Sequence, residues 1–161
     1  MNLRKALERN EFIPFYQPQM NLETNEIIGA EALIRWNHPE RGMIAPADFI
    51  PKAEETSLII PIGEWALRTA CMQNKKWQDD GFPPITVAVN ISAKQFFQSR
   101  LPEVVRKVLN ETGLEPKYLE IEITESMTLD VESAISTLIE LKKIGVMISI
   151  DDFRTGYSSL N

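Results

Sequence analysis

The sequence has one cysteine, Cys71, and one histidine, His38. No internal disulfide can form, and thiol-rich zinc sites are excluded along with any Ser-His-Asp triad not built on His38. A metal site, if there is one, must be made of oxygen ligands. Long apolar runs are missing too. The best of them, Leu58-Ile59-Ile60-Pro61-Ile62, is broken by Pro61 and falls far short of the ~18 residues of a membrane-spanning helix, so no membrane segment is expected. Met1-Asn2-Leu3-Arg4-Lys5 leads into Glu8, Arg9 and Asn10 with no apolar stretch of the signal-peptide kind. Positive charge is scarce: 17 Lys and Arg against 23 Asp and Glu leave a net charge of −6. A DNA or RNA duplex is not an expected partner, because such binding needs clustered cations to displace counterions. A nuclease of another type is disfavoured on the same ground. A small anionic ligand remains admissible if cations accompany it.

What is present is an ordinary globular balance, with 43% hydrophobic and 25% charged residues in 161, enough to bury one core. Strand-like and helix-like segments alternate. A short helix is expected over 3–10 and an extended strand over 12–19, whose two prolines argue for an edge. A second strand is expected over 26–36. Helices follow over 46–57 and from Pro61 to 79. A third strand is expected over 85–91, helical turns over 93–112, a fourth strand over 118–124, a helix after Asp130 that Gly145 closes, and a fifth strand over 146–151.

Strands separated by helices imply a mainly parallel sheet. Each strand has one apolar face and one smaller, more polar face. Leu119, Ile121 and Ile123 oppose Glu120, Glu122 and Thr124; Ile148 and Ile150 oppose Ser149 and Asp151; Val87 and Val89 oppose Asn90; Ala30 and Ala32 oppose Glu31. A doubly wound sheet would be apolar on both faces. A barrel whose lumen opens on a polar site at the strand C-termini fits better. A complete (β/α)₈ barrel takes ~250 residues, so an incomplete TIM-like barrel of about five strands is expected, the first of them antiparallel.

Glu31, Asn90, Glu122, Asp151 and Asp152 lie on separate strands, near their C-terminal ends, on faces that should converge. Carboxylates and an amide without histidine or cysteine suit Mg²⁺ or Mn²⁺. The adjacent acids Asp151 and Asp152 suit a pair of ions, the usual device for in-line attack on a phosphate ester. The alternative stays open at this level: any one acid here reads better as solvated surface charge than as a ligand, and Glu120 with Glu122 as an exposed edge.

The residue strings themselves carry a resemblance. Glu31-Ala32-Leu33-Ile34-Arg35-Trp36, together with Tyr16-Gln17-Pro18, Asn90-Ile91-Ser92 with Gln95-Phe96, Glu122-Ile123-Thr124-Glu125, and Asp151-Asp152-Phe153 through Thr155-Gly156-Tyr157-Ser158-Ser159-Leu160, resembles, in order, the signatures of the EAL-domain family of cyclic di-GMP phosphodiesterases. The resemblance implies hydrolysis of one phosphodiester of cyclic di-GMP to linear pGpG, with two Mg²⁺ or Mn²⁺ ions. Glu31, Asn90, Glu122 and Asp151 would hold the first ion. Asp151 and Asp152 would hold the second and help activate water, and Glu31, Asp151 and Asp152 would carry the catalysis. Gln17 and Arg35 would contact the substrate, a guanidinium being apt for a phosphodiester, and Leu33 would line the pocket. Glu125 would steady the loop over 152–159.

Two departures shape the expectation. Arg154 stands where the family usually has glycine, and the chain stops at Asn161, before the family's last three strand–helix units. The division expected is therefore 1–11 as an N-terminal linker helix and 12–161 as the N-terminal part of an EAL domain. The enzyme reading is a fragment of a phosphodiesterase, inactive alone. The alternative is a degenerate, non-catalytic EAL-like module that binds cyclic di-GMP or a protein partner. Exposed barrel edges point to a homo-oligomer. The resemblance further implies a cytoplasmic bacterial signalling protein. His38, Trp65, Trp77 and Cys71 read as structural residues, and Lys75-Lys76 as a solvated helix face.

Overall fold

A computed structural model describes residues 2–151. Asp152, Arg154 and the rest of the motif to Leu160 lie outside the described residues. A mixed sheet of six strands runs in the order β1 (Phe12–Met20), β2 (Ile27–His38), β4 (Thr86–Asn90), β5 (Leu119–Thr124), β6 (Met147–Asp151), with the short β3 (Gly42–Ile44) beside β2. β1 and β3 pair antiparallel with β2, while β2, β4, β5 and β6 run parallel. The antiparallel first strand and the parallel remainder are as expected. β3 is an addition to the expected set. His38 explains it: its Nδ1 accepts from the backbone N–H groups of Glu40 and Arg41, both at 3.1 Å, which closes a tight hairpin.

Among the described residues, six helices of the α type cover one side: α1 (Leu3–Glu8), α2 (Pro46–Glu55), α3 (Ile59–Asp79), α4 (Ala93–Gln98), α5 (Leu101–Thr112) and α6 (Val131–Ile144). α3 starts two residues before Pro61, which its first turn tolerates because no N–H bond is needed there. The helical stretch expected over 93–112 is two helices. Ser99 is extended, with ψ 160°, and Pro102 opens the second helix. Gly113 and Gly145 end α5 and α6 in the left-handed region, with φ of 77° and 106°, where a Cβ would be strained.

Two cores result. The larger lies between α3, α5, α6 and the apolar faces of β4 and β5, with Val87, Leu119, Ile121 and Leu141 fully buried. The smaller gathers Leu3, Ala6, Phe12, Trp36, Phe49 and Ile62. α1 therefore packs on the sheet, and Trp36 Nε1 donates to Glu11 Oε1 at 2.9 Å to hold the entry to β1. Phe12 stacks on Trp65, and Tyr16 meets Trp77 edge-on at 5.1 Å. Both tryptophans are packing residues, as expected. So is Cys71, wholly buried, whose thiol is pushed up to about 12 by burial. Lys75 and Lys76 pair with Asp79 and Asp80 one turn on, a solvated helix face.

Candidate functional site

The strand registers decide which side chains share the uncovered face. Gln17 stands opposite Glu31, Phe15 opposite Leu33 and Ile13 opposite Arg35. Glu31 pairs with Ala88, Asn90 with Glu122, and Thr124 with Asp151. Positions two apart on a strand point the same way. Gln17, Glu31, Leu33, Arg35, Asn90, Glu122 and Asp151 thus occupy one face across five strands, on the side away from the helices. The order of the acids along the strands places Asn90, Glu122 and Asp151 at the C-terminal ends, as the alternation predicts.

The geometry is tightest at Glu31, which is 2% exposed. Asn90 Nδ2 donates to Glu31 Oε2 at 2.9 Å, while the buried Oε1 has no hydrogen-bond partner. A buried carboxylate oxygen left so costs free energy. Burial raises the Glu31 carboxyl above its usual range; the Asn90 bond opposes this, and the charges of Asp151 and Glu120 add to it. Glu122 is pushed up to about 7, by burial first and then by Glu31, Glu120 and Asp151. Ser149 Oγ donates to Glu120 Oε2 at 3.2 Å. Like charges converge here. Carboxylates in that state fit a divalent cation. With its N–H₂ given to Glu31, Asn90 keeps its carbonyl oxygen as the donor atom. Among the described residues, however, no group of three or more His, Cys, Asp or Glu side chains is close enough to hold an ion. The face collects the ligand types without closing a shell, and Asp152 lies outside the described residues.

Arg35 folds over Phe15, its guanidinium carbon 5.5 Å from the ring centroid, and its Nη1 donates to Ile34 O. That leaves a cation over a half-exposed aromatic ring on the face that carries the acids. Leu33 and Asn90 line a cavity of about 420 Å³ with Pro46, Ile62, Ser92 and Thr124. Glu125 opens a short 3₁₀ turn, Glu125–Thr128, directly after β5. It is exposed, and the loop it was expected to steady lies outside the described residues. Sequence reasoning missed the buried roles of Gln95 and Asn74. Asn74 is fully buried and donates to Ile85 O and Tyr118 O at 3.0 and 3.2 Å, clamping two strand entries to α3. A polar residue among the apolar positions of that helix was the available signal.

The sequence and the fold have counterparts among known proteins. The family model described as EAL domain matches residues 1–161. MucR of Pseudomonas aeruginosa, a bifunctional diguanylate cyclase/cyclic di-GMP phosphodiesterase, is 47% identical over 160 residues, covering 99% of this chain and 23% of MucR. The cyclic di-GMP phosphodiesterase PdeR of Escherichia coli is 42% identical, over 99% of this chain and 24% of PdeR. The chain thus spans about a quarter of the length of these relatives. Among solved structures, the MucR phosphodiesterase in complex with c-di-GMP superposes with a TM-score of 0.91 at 47% identity, over 98% of this chain and 64% of that one. The EAL enzyme Bd1971, in its cAMP- and cyclic-di-GMP-bound form, superposes at 0.87 with 34% identity, over 98% of this chain and 44% of that one. The open six-stranded sheet with its antiparallel first strand is that of an incomplete TIM-like barrel, and the chain belongs to the EAL domain family.

Proposed function

We propose that this chain is the metal- and substrate-holding part of a cyclic di-GMP phosphodiesterase, whose parent hydrolyses the dinucleotide to linear pGpG. One observation carries the reading: the buried, unpartnered Glu31 Oε1 faces the same side as Asn90, Glu122 and Asp151, where burial and then like charge have raised Glu122 to about 7. Glu31, Asn90, Glu122 and Asp151 would hold one Mg²⁺ or Mn²⁺, and Asp151 with Asp152 a second. Such ions supply charge for the phosphoryl oxygens and a water of lowered pKa. Gln17, paired across from Glu31, and Arg35 bind and orient the phosphodiester. The Arg35 guanidinium supplies paired donors for its oxygens, and Phe15 beneath it excludes water from one side. Leu33 walls the pocket beside Glu31. Asp151 and Asp152 would help activate the attacking water, and Glu125 would steady the 152–159 loop.

The 161-residue chain is expected to bind cyclic di-GMP in a divalent-dependent way without turning it over, because among the described residues the ligand shell is not closed. A binding-only module is the second reading, favoured by that same open shell and by Arg154. Calorimetry with cyclic di-GMP and Mn²⁺, followed by chromatography for pGpG, separates them. Turnover by a chain extended through a full barrel, lost in its Asp151→Asn variant, supports the enzyme. No turnover in that longer chain supports the module. Residues 1–11 serve as the joint to a preceding domain of a cytoplasmic signalling parent.

The open edge supports a partner proposal. Val131, Ile135 and Ile139 form an exposed apolar stripe on α6. Glu132 lies near its start and Lys142 near its end. Two copies of α6 paired antiparallel, centred between Ile135 and Ile139, would set Glu132 of each against Lys142 of the other. A homodimer through this helix is the expected solution state. Among the described residues, no helix is long and apolar enough to cross a membrane.

A further inference from the structure

Glu31, Asn74 and Gln95 are the buried polar or charged side chains among the described residues, and Gln95 stands in neither the ligand set nor the strand clamp. It occupies the third position of α4, the helix that opens directly after β4. Its Oε1 accepts from the Ser92 N–H at 3.0 Å, and its own N–H donates to Ser92 Oγ at 3.3 Å. This reciprocal pair fixes the turn two residues beyond Asn90. An exposed glutamine would do that much. What sets this one apart is that its amide lies on Gly63, inside α3. A Cβ at position 63 would run into it, with Oε1 at 2.7 Å and Nε2 nearer still. Glycine in a helix interior is unfavourable, and here its missing side chain is the space that the Gln95 amide fills. The β4–α4 turn is thereby registered against the longest helix of the fold. Ile91 N–H still donates to Glu122 O at 3.0 Å; the backbone after it belongs to the turn. Asn90 is the last ladder residue of β4, two positions before this pinned turn, and its amide must hold one direction to reach Glu31.

We propose that Gln95, seated on Gly63, is a positioning residue for Asn90: it fixes the β4–α4 turn so that Asn90 keeps its bond to Glu31 and turns its carbonyl oxygen to the cation. The first half stands on the geometry alone, and the second rests on Asn90 being a metal ligand.

The test uses the 161-residue chain and two readouts. Solvent exchange of the Asn90 side-chain amide protons is followed by NMR without metal, and Mn²⁺ affinity by electron paramagnetic resonance. Near-UV circular dichroism checks that each variant is folded. Gln95→Ala and Gly63→Ala should each speed Asn90 amide exchange and weaken Mn²⁺ binding by about tenfold. The double variant should be no worse than Gln95→Ala alone, because the two changes remove one contact. Gln95→Glu, which keeps the acceptor for Ser92, should retain the Asn90 protection. Unchanged Asn90 exchange in Gln95→Ala would overturn the proposal and leave Gln95 as a cap only. If Gln95→Ala fails to fold, Gln95→Met keeps the volume and drops the acceptor; faster exchange there supports the proposal and unchanged exchange overturns it. If Asn90→Ala leaves Mn²⁺ affinity unchanged, the ligand reading of Asn90 falls. The exchange measurement then still decides the positioning claim, in the same two directions.

Discussion

Ile121 and Glu122 are neighbours on β5 and live in opposite environments. Ile121 is fully buried under α3, α5 and α6, among side chains with no polar demand. Glu122 faces the open side, beside Glu31, Glu120 and Asp151, in a state that its neighbours make unfavourable. One face of the sheet is finished and the other is electrostatically strained. The contrast teaches that stability and function are drawn from different sides of the same strands. The helix-covered face supplies the folding energy, and the open face gives up part of it by bringing carboxylates together, as the proposed cation site requires.

Breaking the finished face should cost most. Ile121→Ala removes a buried side chain between three helices and should destabilise the chain by about 3 kcal/mol in urea unfolding. A loss well under 1 kcal/mol would mean that the larger core collapses around the gap. The open face should behave in the opposite sense. Glu122→Gln removes one of several converging charges, so the cation-free chain should gain about 1 kcal/mol, a figure reduced for a half-exposed group. The same variant should lose most of the rise in melting temperature that Mn²⁺ gives the unaltered chain. A Glu122→Gln chain less stable than its parent would show that the acids are not strained.

The exposed stripe on α6 sharpens the comparison from the edge of the sheet. Ile135→Lys should change folding stability by about 0.5 kcal/mol or less, since the side chain is already half exposed. It should convert the dimer to monomer in sedimentation velocity, as should Lys142→Glu, with Glu132→Lys restoring the pair. The smallest effect belongs to the surface of the finished face. Arg68 Nε donates to Glu111 Oε2 at 2.7 Å, and this bond holds the Glu111 carboxyl below its ordinary 4.5. A depressed folded value means the bond stabilises above pH 4.5 and is lost as the pH falls through the lowered value. Glu111→Gln should therefore lower the urea midpoint slightly at neutral pH, and the two chains should converge in acid.

Much of this was readable in the alternation of the strands. The period of two puts Glu31, Asn90, Glu122 and Asp151 each on the more polar face of its own strand, because side-chain direction in a strand is fixed by the backbone. The edge position of the first strand followed from Pro14 and Pro18. The hairpin at β3 was not readable, since it depends on two backbone bonds to the His38 ring. The break at Ser99 was signalled by Pro102, which starts a helix more readily than it continues one. Gln95 appeared only as part of a motif, and its burial against Gly63 joins segments far apart in the chain.

The sequence by itself determined the family, the open α/β architecture, the polarity of each sheet face and the residue types at the strand ends. These are local or periodic properties, written into single strands. Only the tertiary structure decided that Asn90 gives its N–H₂ to Glu31, that Glu31 keeps a buried oxygen without a partner, and that α3 carries a glycine where the Gln95 amide lies. Those depend on the register of β2 against β4 and on the seat of α4 upon α3. Such relations arise only when separate segments pack, and no spacing along one of them encodes the distance to another.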